Sequence, residues 1–198
     1  MHRVTWSADE ILLAGSRRAV EIVGRSSLAP YAFHITDLDG YPWHRPEAAH
    51  GLPEGGFLAI RLPDGASAGA GEWREEGEQA RHLLSVTATA VLAEHLPADK
   101  QIPEQRRLST AHLALQVGQP ILHYRCEMWA GELEFECTLV YSPAESVLCT
   151  DVSESSSPAA PDALRDGLLR IGLQLPTRYF APHARDFPWS RYRLQPTL

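Results

Sequence analysis

The chain has 198 residues and a net charge of −7, with 44% hydrophobic and 22% charged residues. That balance is ordinary for a globular protein, is long enough for one substantial core, and excludes a chain too polar to fold. The acidic excess argues against nucleic acid as the main partner.

Basic residues are almost all Arg, Lys100 being the single Lys, and Ala, Gly and Pro are abundant, a bias typical of a GC-rich bacterial genome. Cys126, Cys137 and Cys149 are an odd set without close spacing. They read as small buried hydrophobes in a reducing compartment, neither a disulfide framework nor a zinc site. No apolar signal region opens the chain and no run approaches a membrane span, so the expected location is cytoplasmic.

In chain order, Ser7 and Glu10 make a capping box, with Trp6 and Ile11 as a hydrophobic staple, and predict a helix that Gly24 stops. Tyr31 to Asp37 and Gly56 to Leu62 read as two short strands, separated by a loop that bears Pro and His. Ala80, Leu83, Leu84, Ala88, Val91 and Leu92 have the three-four spacing of an amphipathic helix over about 73–96, ended by Pro97.

Period-two alternation predicts a four-stranded antiparallel meander over about 108–151. A turn at Ala130-Gly131 pairs Met128 with Leu133, Cys126 with Phe135, Tyr124 with Cys137 and Leu122 with Leu139, apolar on apolar. Another at Gly118-Gln119 pairs Leu113 with Tyr124 and Ala111 with Cys126. In that register one face is core, and the other carries His112, Arg125 and Glu136 in a row with His123 one rung away. The expected fold is therefore α+β, the meander packed against the long helix, with an N-terminal helix and two extra strands.

Residues 1–152 form the expected domain, 153–161 a linker rich in Ser and Pro, and 162–198 a short helix stopped by Gly172 plus an aromatic and Arg-rich tail. Tyr179, Phe180, Phe187, Trp189 and Tyr192 make that tail too aromatic for a disordered end. It is expected to pack back on the domain or across a homodimer.

Two sets of residues carry candidate chemistry. On the polar face, His112, His123, Arg125 and Glu136 are either a solvated surface or an acid–base site for an anionic ligand. His34, Asp37, Asp39 and His44, with His50 nearby, could hold a divalent metal such as zinc, manganese or iron, although their spacing matches no established ligand pattern.

Asp37-Leu-Asp-Gly40 resembles the nucleophile loop of haloacid-dehalogenase-type phosphatases, and His34-Ile-Thr36 resembles half of the paired signature of two-histidine phosphoesterases. Tyr41 stands where the first family places a small residue, and His112-Leu-Ala114 lacks the hydroxyl that the second requires, so neither implies an activity. The leading expectation is a binding protein for a small ligand or protein partner, using the polar face and the His-rich loop. A small lyase, isomerase or hydrolase is the alternative, and a metal-dependent hydrolase the second.

Overall fold

A computed structural model describes residues 6–37, 52–62, 102, 104–129, 132–143, 148–154, 163–173 and 187–195. The elements run β1 (Trp6–Ala14), α1 (Arg17–Arg25), β2 (Ala32–Ile35), β3 (Phe57–Arg61), α2 (Glu104–Val117), β4 (Ile121–Trp129), β5 (Glu132–Tyr141), β6 (Leu148–Glu154) and α3 (Ala163–Arg170). Single 3-10 turns lie at Ala29–Tyr31 and Trp189–Tyr192. The fold is α+β: six strands form one open sheet in the order β2-β3-β1-β4-β5-β6, every pair antiparallel.

The first strand corrects the expected N-terminal helix. Its capping box and Ala/Leu content favour a helix locally, yet Ile11, Leu12 and Leu13 are all fully buried and point to alternate faces. A three-residue apolar run satisfied on both sides suits a central strand of a sheet covered on both faces. Pairing with β3 on one edge and β4 on the other overrides the weak helical preference. The helix starts only after Gly15, where Ser16 is the N-cap and its hydroxyl accepts from Ala19 N–H at 3.2 Å.

A second correction concerns residues 108–117, expected as a strand and found as the body of α2. Thr110, Ala111, Leu113, Ala114 and Val117 are buried at helical spacing, whereas Leu115 is exposed. Gly118 ends the helix at φ 73, its N–H reaching the Ala114 carbonyl at 2.9 Å. The meander is therefore β4-β5-β6, three strands rather than four. The expected long helix over about 73–96 lies outside the described residues, and β6 runs to Glu154, into the stretch read as a linker.

Both faces of the sheet are packed. One carries Ile11, Leu13, Leu58, Ile60, Ile121, Leu139 and Tyr141 against α1 and α2. The other carries Leu12, Ile35, Phe57, Leu122, Tyr124 and Val140 against α3 and the tail residues Phe187 and Tyr192. The tail returns along β2: Leu194 N–H donates to the Ala32 carbonyl at 2.9 Å, and Trp189 meets Phe33 edge-on at 4.9 Å. Arg61 lies over the Trp189 ring at 4.4 Å.

A β-bulge decides which side chains share a face. Met128 pairs with Leu133 as the turn predicts, but the ladder shifts between Glu127 and Met128. Beyond it Cys126 pairs with Glu136, Arg125 with Cys137 and Tyr124 with Thr138. One extra residue on β5 inverts every later rung, so apolar and polar positions of the two strands meet.

The turn before β3 is the tightest backbone approach. Gly56 has φ 72, and a Cβ there would lie 2.1 Å from the Ile35 carbonyl oxygen. Gly56→Ala is expected to lower the unfolding free energy by about 3 kcal/mol or more, combining a left-handed backbone with a collision. Gly118→Ala, with nothing within 4 Å of the new methyl, is expected to cost about 1 kcal/mol. Urea denaturation of both variants measures the difference.

Candidate functional site

Asp9 of β1, His123 and Arg125 of β4, and Arg106 and Thr110 of α2 meet where α2 crosses the sheet. Asp9 lies directly opposite Arg125 in the ladder, and Ile11 opposite His123. His123 Nε2 is 2.7 Å from Asp9 Oδ1, and its Nδ1 is 3.2 Å from Thr110 Oγ1. Arg106 closes on the second oxygen of Asp9. The imidazole is fully buried, and burial, then the guanidiniums of Arg106 and Arg125, push it down to about 3. These effects outweigh the attraction of Asp9, whose charge Arg106 already offsets.

A neutral imidazole assigns the protons. Nε2–H donates to the Asp9 carboxylate, leaving Nδ1 as an acceptor 3.2 Å from the Thr110 hydroxyl, whose single hydrogen is shared between Nδ1 and the Arg106 carbonyl, to which it donates at 2.8 Å. Carboxylate, imidazole and hydroxyl thus form one chain joining β1, β4 and α2. Thr110 is as fully buried as His123. The chain fastens the helix to the sheet in the state shown.

Beside it, Arg107 and Tyr141 are sealed between α2 and β5, at 9% and 3% exposure. Arg107 Nη1 and Tyr141 Oη are buried without a hydrogen-bond partner. The positive charge of Arg107 acts on both the Tyr141 hydroxyl and the Cys137 thiol, placing the three in one neighbourhood. Burial nevertheless dominates, raising Tyr141 far above the usual phenol range and Cys137 to about 12.

The opposite face of the same strands holds a second polar group. Glu10, fully buried, is 3.1 Å from Arg61 Nε, and Tyr124 donates to Glu136 at 3.3 Å. Burial first, then Cys126, Glu136 and Glu10, raise Tyr124 well above its ordinary value. Cys126 is pushed up to about 12, chiefly by burial. Neither described thiol is a thiolate at neutral pH, so neither is primed as a nucleophile.

The expected row of His112, Arg125 and Glu136 does not form. His112 is buried on α2, His123 and Arg125 face that helix, and Glu136 points to the α3 side with Tyr124. The bulge separates Arg125 from Glu136, and the helical state of 108–117 removes His112 from the sheet. Among the described residues the sheet presents no open polar face, because α1 and α2 pack on one side and α3 with the tail on the other.

Of the metal candidates, His34 Nε2 is 2.7 Å from the Gly55 carbonyl oxygen, and Asp37 receives Arg191 at 3.4 Å. Asp39 and His44, with His50, lie outside the described residues. Among the described residues no group of three or more His, Cys, Asp or Glu could hold a metal.

Sequence reasoning missed Asp9, Arg106, Arg107 and Thr110. One signal was available: a strand reading of 6–14 puts Asp9 on the face of Ile11 and Leu13, where a buried acid demands a partner.

Two outcomes follow. A histidine held neutral binds fewer protons than it does unfolded, so its stabilisation is complete above its ordinary pKa and is lost as pH falls toward about 3. Between pH 8 and pH 5 wild type should lose about 2 kcal/mol more stability than His123→Gln, as read by urea denaturation at each pH. In a Cys149→Ser background, Cys126 and Cys137 should resist alkylation for hours in native buffer and label fully in urea, counted by mass spectrometry.

No protein-family model, no curated protein and no solved structure matches the chain.

Proposed function

We propose that the chain is a binding protein for a small molecule, taken up in the seam between α2 and the β4-β5 face. The observation that carries this reading is the contrast between committed and uncommitted polar groups there. His123 is hydrogen-bonded through both ring nitrogens and held neutral, while Arg107 Nη1 and Tyr141 Oη are buried donors without a partner. Burying such donors costs about 1–3 kcal/mol each, a cost that a ligand acceptor would recover. A binding role also requires no nucleophile, in keeping with two protonated thiols. An Arg-biased composition rich in Ala, Gly and Pro supports a bacterial setting for this role.

The acid–base enzyme is a second reading, favoured by the carboxylate–imidazole–hydroxyl order of Asp9, His123 and Thr110. Like the binding reading, whose donors are sealed under the same helix, it requires α2 to open, since His123 and Thr110 have no exposure.

A thermal-shift panel of organic acids, phosphorylated metabolites, neutral sugars, amino acids, zinc and manganese separates the readings. The expected outcome is a saturable rise in Tm with at least one small molecule, recovered unchanged by mass spectrometry after overnight incubation. Conversion of that compound, abolished in His123→Gln with its binding retained, would establish the enzyme instead. A panel without any saturable shift would overturn the small-molecule reading.

A further inference from the structure

We propose that the seam takes an oxyanion, the carboxylate or phosphate of a small metabolite, against Arg107 Nη1 and Tyr141 Oη, with Arg125 and the first turn of α2 adding positive potential. This rests on the binding reading above and names the ligand class for the same site.

Both unpartnered atoms are hydrogen donors, so the complementary ligand atom is an acceptor. One of them belongs to a guanidinium that is more than nine-tenths buried, so the complementary charge is negative. A guanidinium presents parallel N–H groups that match the two oxygens of a carboxylate or the edge of a phosphate. Tyr141 can donate a further hydrogen bond to the same group.

Several neighbouring groups carry the same sign, although Glu104 shares the first turn of α2 with two of them. Arg106 and Arg107 stand in the first turn of α2 (Glu104–Val117), where the helix already exposes the positive end of its dipole. Cations there are unfavourable for the helix itself. Arg125 lies on the same face of the sheet, side-chain exposure 20%, with Glu127 at a loose 3.8 Å. Among the described residues Asp9 is a carboxylate that offsets part of this charge, and its two oxygens are engaged by Arg106 and His123. Glu10 and Glu136 serve the opposite face.

The test uses full-length protein with inorganic phosphate and with malonate, each matched in ionic strength by sodium chloride, followed by scanning fluorimetry and calorimetry. One or both anions should raise Tm saturably beyond chloride by about 4 °C at about 10 mM. The stronger of the two identifies phosphate or carboxylate as the group recognised. Arg107→Met and Tyr141→Phe should each weaken that binding at least about tenfold, the loss of one charge-assisted hydrogen bond.

Arg107→Met also reads out the free protein. Removing a buried, incompletely bonded cation should leave the Tm without anion unchanged or raised. A lowered Tm together with an undiminished anion shift would overturn the proposal, making Arg107 a structural cation. Anion effects no larger than those of chloride would overturn it too. Should a neutral or cationic compound from the panel bind while phosphate and malonate do not, the binding reading stands and the oxyanion assignment falls.

Discussion

Covering an antiparallel sheet on both faces leaves a charge on its central strands with nowhere to meet water. Asp9, Glu10, His123 and Glu136 all sit on β1, β4 or β5, three of the four inner strands of the sheet. Each must find its partner within the protein or a ligand, because an unpaired buried charge costs several kcal/mol. The observed arrangement answers that demand in two groups. Asp9, His123, Thr110 and Arg106 close on one side, and Glu10 with Arg61, and Tyr124 with Glu136, on the other. Alternation along the strand separates them: Asp9 and Glu10 are neighbours in sequence but serve opposite layers.

The first group has a mechanical consequence. Helix α2 is held to the sheet by apolar contacts at Ala111, Leu113, Ala114 and Val117, and at its N-terminal end by polar ones. Arg106, Arg107 and Thr110 belong to that polar end. A molecule entering the proposed seam would meet this end, since it holds the charge and the uncommitted Arg107 donor, with the Tyr141 hydroxyl facing it from β5. On the proposed reading, binding and helix docking would be coupled through neighbouring residues of one helical turn.

The bulge at Glu127 and Met128 is equally decisive. Without it, Arg125 would stand beside Glu136 and form the ion pair the hairpin register suggests. With it, Arg125 stands opposite Cys137 on the side of α2, and its charge adds to those of Arg106 and Arg107. A single residue thus converts a neutral cross-strand pair into a positive seam. The second cost of that inversion, Glu136 turned toward the α3 layer, is met by the Tyr124 hydroxyl.

Local patterning determined a good deal of this protein. The α+β class, strands at 32–35 and 57–61, the Met128–Leu133 hairpin start and the helix ended by Gly172 were all legible, because alternation, turn glycines and helical spacing act over a few residues. Tertiary structure alone decided that 6–14 is a strand and 108–117 a helix, since both segments are ambiguous in isolation and take the state their neighbours can pair or bury. It also decided the site. Asp9, Thr110 and His123 come from three distant segments, and their meeting depends on strand order, a bulge and the seating of α2, none of which leaves a mark on any short stretch of residues.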